Sequence, residues 1–517
     1  MRTKSKIEFG DFQTPFDLAR EIVQLLKSIQ ISPNIVVEPT CGLGSFLKAS
    51  IAIFGSDVKY YGFDINPDYV KKAKNSIATA NGIECEIRCQ NFFEQDWKAF
   101  FTTLSDNILV IGNPPWVTNS ALGSLRGENL PGKSNFQQHR GFAAKTGKAN
   151  FDISEWILIK LMESLNHKKA CIAMLCKTAT ARKVLRHSWR NDFNITDSSL
   201  HLIDANKHFG VSVDACLFIT HTGKKPSSRT ATIFAKIDFK EKLSRFGIVK
   251  GELVADVDVY ENLKDIDGIE YCKWRSGVKH DAAKVMEFTA DGDIYVNGFG
   301  ERCNLEDTYM YPLLKSSDLA NGRLLPHRFV LLTQRRISAD TSVIKENAPK
   351  TWQYLLDHAE FLDQRRSIIY KKRPRFSIFG VGDYTFAPCK VAISGLYRNL
   401  SFAVVGSLHG KPIVVDDTCY FIPCKNREEA NFFATLLNSE VTERFIRALV
   451  FFDAKRPINI DLLRRIDLKK VAEKMNLEEQ ARLYLKNADY ENGKQQLFVF
   501  EEEEEYKANQ GGQICPT

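Results

Sequence analysis

Leu109-Val110-Ile111-Gly112-Asn113-Pro114-Pro115-Trp116 is an apolar run that breaks off into Asn-Pro-Pro and an aromatic ring. The run is β-branched and uncharged, which predicts a strand buried on both faces, as in a parallel sheet. Two prolines then stop it. Neither has an N–H to give, and each holds the residue before it extended, so the Asn113 side chain and the Pro114 carbonyl are presented as fixed acceptors. An amide oxygen beside a carbonyl suits an exocyclic amine, which must place two N–H donors, and Trp116 offers a flat face for the ring that carries it. The same string also describes a proline-stiffened turn with a half-buried Trp. The run alone does not choose.

The rest of the chain weighs on that choice. At 517 residues it exceeds one ordinary core, so two domains and a tail are expected, cut as 1–245, 246–470 and 471–517. A net charge of +8, from 71 basic and 63 acidic residues, permits a polyanionic partner without requiring one. The 12 cysteines show no CxxC and no repeated spacing, against both a disulfide framework and a zinc site, so no metal is expected. The basic, polar N-terminus has no apolar run behind it, and no uncharged stretch approaches the ~20 residues of a membrane span, so the expected setting is cytoplasmic.

Upstream, Phe12-Gln13-Thr14-Pro15 reads as a helix start, with Thr14 at the N-cap and Leu18, Ile22 and Leu25 on the apolar stripe. Ile35 to Leu47 follows as strand, acid and glycine turn: Glu38 closes the strand, Pro39 follows, and Gly42 and Gly44 let the backbone approach a ligand where α/β sheets bind nucleotides. A P-loop lysine is missing, so tight triphosphate binding is not indicated. Lys59 to Asp64 is a second strand ending in a carboxylate, with Ile65 behind it, about 20 residues after the glycines, the spacing of a ribose-binding acid. Capping the helix that begins near Pro67 is the competing role. After a third strand, Asn91 and Phe92 could receive an adenine ring.

This order of elements, closed by Asn113 to Trp116, resembles the gamma class of S-adenosylmethionine-dependent DNA adenine N6-methyltransferases, the modification enzymes of restriction-modification systems. The resemblance implies a Rossmann-like class I α/β sheet with helices on both faces, plus a C-terminal mixed α+β target-recognition domain. It makes Phe12 to Pro15 the N-terminal cofactor motif, Glu38 to Gly44 the methionine-side loop, Asp64 the ribose acid, and Asn113 to Trp116 the catalytic motif. Trp116 stands where many members have Tyr or Phe, a mild departure. Phe209, in the turn before the strand-like Ala215 to Ile219, is then a second aromatic, packing on the far side of a flipped-out base; that strand reads as a hairpin at the sheet edge. A core Phe is the other reading.

Between Val117 and Asn150, Arg126, Lys133, Arg140, Lys145 and Lys148 face a single acid, Glu128, in a stretch with few apolar runs. Loops longer than ~12–15 residues are functional or disordered, and this one is expected to grip phosphates. Past residue 245 the βα alternation fades into short strands and aromatics. Arg365, Arg366, Lys371, Lys372, Arg373 and Arg375 form the densest basic run and are expected to contact double-stranded DNA. Tyr311 to Leu319, Asp417 to Pro423 and Ala434 to Ser439 resemble parts of the family's recognition domain, which brings the resemblance to about nine tenths of the chain. Asp467-Leu468-Lys469 matches part of a nuclease pattern, but in a chain with 26% charged residues such triplets arise by chance. Methylation without cleavage is expected, any cognate endonuclease being a separate protein. The same clamp also admits cytosine N4, or an amine of RNA or protein; a DNA-binding protein with a dead methyltransferase fold is disfavoured by Glu38, Asp64 and Asn113 occurring together.

Overall fold

In the computed structural model, which describes residues 12–77, 82–117, 152–224, 229–292, 294–453 and 456–485, the chain divides into two compact units, Met1–Asp258 and Val259–Thr517. The first runs through helix α1 (Phe16–Ser28), β1 (Ile35–Glu38), α2 (Ser45–Phe54), β2 (Lys59–Asp64), α3 (Pro67–Ile77), β3 (Cys85–Cys89), α4 (Trp97–Thr102) and β4 (Ile108–Gly112). It continues with α5 (Ile153–Ser164), β5 (Ala170–Lys177), α6 (Thr178–Arg190), β6 (Ile195–Ile203), α7 (Ala205–Phe209) and β7 (Ala215–Thr222). Three further strands, β8 (Thr230–Phe234), β9 (Lys242–Val249) and β10 (Glu252–Val254), complete a ten-stranded sheet ordered β10-β9-β8-β6-β7-β5-β4-β1-β2-β3.

The apolar run lies near the middle of that order. β1 to β5 pair in parallel, and β4 is buried at all five positions. Leu109 and Ile111 share one core cluster with Leu18 and Ile22 of α1, Phe46 of α2 and Ala73 of α3. Alternation sends Ile108 and Val110, equally buried, to the other face, where α4, α5 and α6 contact one another in series. Each of these four side chains contributes about 1.5–3 kcal/mol by burial, so a charge in this strand could not be tolerated. The carboxyl ends of β1, β2 and β4 bring Glu38, Asp64 and Asn113 to one edge of the sheet.

Four details differ from the sequence reading. Strand β7 is not at the sheet edge; it inserts antiparallel between β5 and β6 and is buried along nearly its whole length, because its uncharged run needs neighbours on both sides. Thr14 does not cap α1, which begins after an extended Pro15 (φ −57°, ψ 138°) with no side-chain cap. Thr14 precedes a proline and is therefore kept out of the helical region; it is buried instead. The cap of α3 is Asn66, whose Oδ1 accepts the N–H groups of Asp68 (2.9 Å) and Tyr69 (3.3 Å), so Asp64 is not that helix's cap. The boundary expected at 245 falls within β9, which pairs with β8 in the first sheet.

The second unit holds a six-stranded sheet, a four-stranded sheet and a two-stranded ribbon, with helices concentrated after residue 427. The stretch 311–319 forms strand Met310–Leu314 and helix Ser316–Ala320. Buried Asp318 there pairs with Arg328 (3.0 Å) and Arg323 (3.3 Å). Asp467 caps the helix Leu468–Lys474 by accepting the N–H groups of Lys469 and Lys470, a structural use that accounts for the Asp-Leu-Lys triplet.

Candidate active site

Two prolines fix the backbone after β4, and the Asn113 amide is held by a residue 101 positions away: its Nδ2 donates to the Phe12 carbonyl at 3.1 Å. That bond sets the amide's orientation, since only the NH2 end can face a carbonyl. The other end, Oδ1, is buried and has no hydrogen-bond partner among the described residues. A buried acceptor left unpaired costs a protein about 1–3 kcal/mol, so its persistence at the end of a rigid strand marks a place built for an incoming donor.

Trp116 is 5% exposed. Its indole N–H donates to the Leu175 carbonyl at 3.4 Å, and its ring meets Phe209 edge to face, centroids 5.2 Å apart. Phe12 leans on both, at 6.1 and 6.2 Å. Trp116 and Phe209 are therefore not opposite jaws with a gap between them. Edge-to-face contact is the favoured packing of buried rings, and with Phe12 they make one continuous aromatic wall.

The glycine turn lies between two side chains. Gly42 (φ +51°) donates its N–H to Asp64 Oδ2 at 2.8 Å, and Leu43 donates to Gln13 Oε1 at 3.0 Å. A Cβ on Gly42 would stand 2.5 Å from that same Gln13 oxygen. These N–H groups already have protein partners, so the turn is not a phosphate nest, as the missing P-loop lysine indicated. Gly44 (φ +76°) starts α2, where a Cβ would meet Ala73 at 3.3 Å. The second Asp64 oxygen accepts Asn66 N–H at 2.8 Å. Ile65 beside it is an exposed apolar side chain.

Glu38 is 2% exposed, and one of its oxygens accepts the Leu47 N–H at 3.1 Å. Burial pushes its carboxyl well above the usual range, against the pull of that hydrogen bond, with the Asp64 charge adding to the rise. A cationic amine entering the crevice would reverse that balance. A buried acid, a close-approach turn and a second carboxylate at one sheet edge fit a zwitterionic amino acid joined to a nucleoside.

Other candidates fall elsewhere. Asn91 caps its own turn by accepting the Phe93 N–H at 3.0 Å. The Phe92 ring is buried against Trp97, at 4.8 Å, rather than open to an adenine, while Phe93 is half-buried near Trp156. Arg126, Lys133, Arg140, Lys145 and Lys148 lie outside the described residues. In the second unit Arg365 is committed to structure: its guanidinium donates to the His280 and Ser377 carbonyls and lies 3.7 Å from the Tyr370 ring centroid. Arg375 pairs with Asp363 at 2.6 Å, and Arg373 bonds Ser338. Arg366, Lys371 and Lys372 are exposed and form no ion pair among the described residues.

Sequence reasoning missed Gln13 as part of this site, and also Thr40, whose hydroxyl in the glycine turn is buried with no partner among the described residues. Gln13 lies within the Phe12 to Pro15 motif, and only its reach across 30 residues shows its role.

Residues 2–300 match the family described as N-6 DNA Methylase. The chain is 44% identical to the Type II methyltransferase M.NspV of Nostoc sp. (strain ATCC 29411 / PCC 7524), over 471 residues that make up 91% of this chain and 98% of that one. Among solved structures it is similar to the Type IIL restriction-modification enzyme MmeI in complex with DNA, at 13% identity and TM-score 0.47 over 91% of this chain and 74% of that one. It is also similar to the M protein of the Type I restriction enzyme EcoKI, at 14% identity and TM-score 0.29 over 43% and 48% of the two chains.

Proposed function

This chain belongs to the N-6 DNA methylase family, and from that premise we propose that it transfers methyl from S-adenosylmethionine to the N6 amine of an adenine, held by Asn113 and the Pro114 carbonyl. The observation that carries the assignment of the clamp is the buried, unpartnered Asn113 Oδ1, locked in orientation by the Phe12 carbonyl. When bound, the cofactor supplies an electrophilic sulfonium methyl. Glu38 would hold its ammonium, Asp64 would accept from the ribose, Gly42 and Gly44 would give the close approach, and Ile65 would contact the adenine.

The N6 lone pair is delocalised into the ring and is a poor nucleophile. Two acceptors that hold both amine hydrogens favour a pyramidal nitrogen and aim its lone pair for in-line displacement. The cofactor would supply the methyl and keep the sulfur electron pair, and the amine nitrogen, held by Asn113 and the Pro114 carbonyl, would give up one proton. Catalysis is thus orientation and electrostatics on the chain's own residues. The base must leave the duplex to reach the clamp, and the Trp116–Phe209 wall replaces its lost stacking from one side. Double-stranded DNA is the partner, gripped in the second unit by Arg366, Lys371 and Lys372.

The test is transfer of labelled methyl to unmethylated duplex DNA by wild type and Asn113→Ala, followed by digestion to nucleosides. Label in N6-methyladenine that vanishes in the variant is expected. Label in N4-methylcytosine would move the substrate to the other base, and label retained by the variant would remove Asn113 from the clamp.

A further inference from the structure

Lys177 ends β5, and its ammonium donates to the Trp116 carbonyl at 3.0 Å while pairing with Asp152 Oδ2 at 2.7 Å. The Asp152 side chain is 8% exposed. Its other oxygen accepts the N–H of Ser154 at 3.1 Å and the Ser154 hydroxyl at 2.5 Å, which caps α5. One residue further on, Ile153 N–H donates to the Val117 carbonyl at 2.9 Å. Two residues before Lys177, the Leu175 carbonyl takes the Trp116 indole N–H.

Trp116 is therefore tied to β5 twice, by ring and by backbone, and the second tie passes through an ion pair anchored on the cap of α5. We propose that Lys177 and Asp152 are positioning residues for methyl transfer: together they brace the backbone of Trp116 and so set the angle of the clamp. The proposal rests on the reading of Asn113 to Trp116 as that clamp. Prolines at 114 and 115 fix two φ angles but leave the far end of the motif without a ladder partner, since β4 ends at Gly112. A brace at Trp116 closes that end. A displacement of 1 Å in a reacting group costs up to about 100-fold in rate, so a charge pair several residues from the amine can control the reaction without touching it.

The experiment compares wild type with Lys177→Met, Lys177→Arg, Asp152→Asn and the double variant Lys177→Met/Asp152→Asn. Single-turnover methyl transfer, S-adenosylmethionine affinity, melting temperature and the emission of 2-aminopurine at the target position are measured. Asp152→Asn keeps the capping oxygen and replaces the oxygen that accepts from Lys177 with an NH2 group that cannot accept. Lys177→Met and Asp152→Asn are each expected to slow transfer about 10–100-fold, with cofactor affinity within twofold of wild type and altered 2-aminopurine emission. Lys177→Arg is expected to regain most of the rate, and the double variant to be no slower than the worse single one, as members of one network are. Transfer by Lys177→Met within threefold of wild type would overturn the brace. So would a loss that merely follows the fraction unfolded and is shared equally by Lys177→Arg. Wild-type protein that methylates no adenine would instead overturn the underlying reading of the clamp.

Discussion

Replacing Asn113 by alanine separates what the residue does for folding from what it does for chemistry. Oδ1 is buried with no partner among the described residues, a burden of about 1–3 kcal/mol that alanine removes. Against this, the variant loses the 3.1 Å bond to the Phe12 carbonyl, worth about 1 kcal/mol net, and opens a small void. The terms nearly cancel, so stability should change by no more than about 1 kcal/mol, or ~2–4 °C in melting temperature for a unit of this size. Loss of one preorganised hydrogen-bonding partner of the reacting group costs a factor of about 10²–10³. Single-turnover transfer to an oligonucleotide duplex, read beside a thermal melt of the same preparation, gives both numbers. An activity loss below tenfold would refute the reasoning, and so would a fall of more than ~8 °C with activity tracking the folded fraction, because Asn113 would then be a structural hydrogen-bonding residue.

At Glu38, burial holds the folded-state carboxyl above its unfolded value, so the favourable contribution of the protonated form is present at low pH and declines as pH rises through the raised value. Glu38→Gln removes that decline: the variant should gain in melting temperature over ligand-free wild type as pH rises, while binding S-adenosylmethionine more weakly, and a difference that is flat with pH would contradict this. Gly42→Ala places a methyl 2.5 Å from Gln13 Oε1 at φ +51°; it should cost about 1–2 kcal/mol, measured by urea unfolding, and lower cofactor affinity in titration. The basic run should split. Arg365→Ala should destabilise by about 2–4 kcal/mol, because it strands carbonyl partners and a buried stacking contact, whereas replacing Arg366, Lys371 and Lys372 together by Gln should leave the melt unchanged. The triple variant should flatten the log–log salt dependence of DNA binding by up to about 2–3; an unchanged slope would take these residues off the phosphate surface.

The legible parts of this fold were local. A β-branched run ending in Asn-Pro-Pro, a Gly-x-Gly turn and an acid at a strand end each carry their geometry within a few residues, which is why β1, β2 and β4 and their terminal side chains fall where the sequence puts them. The place of β7 was not legible. Antiparallel insertion between β5 and β6 depends on pairing between residues distant in the chain, such as Ala173 with Ile219, and an uncharged run looks the same at an edge as in the middle. Charge was misleading for a related reason: Arg365 and Arg366 are neighbours in sequence, yet one guanidinium is bound to backbone carbonyls and the other side chain is exposed. Phe92 and Phe93 split in the same way, one into the core and one toward the surface. Composition counts such residues alike; tertiary packing assigns them.

The segment before α1 shows why the site needs more than its motifs. Gln13 closes the glycine turn by accepting from Leu43, and the adjacent Phe12 carbonyl holds the Asn113 amide. Two consecutive residues thus touch the loop proposed for the cofactor and the clamp proposed for the amine, 30 and 101 positions away in the chain. Any ligand that shifts Leu43 pulls on the Gln13 side chain, and the next peptide carries that shift to the amide whose oxygen must meet the substrate. The Phe12 ring is pinned against Trp116 and Phe209, so a movement of that peptide is felt at the clamp.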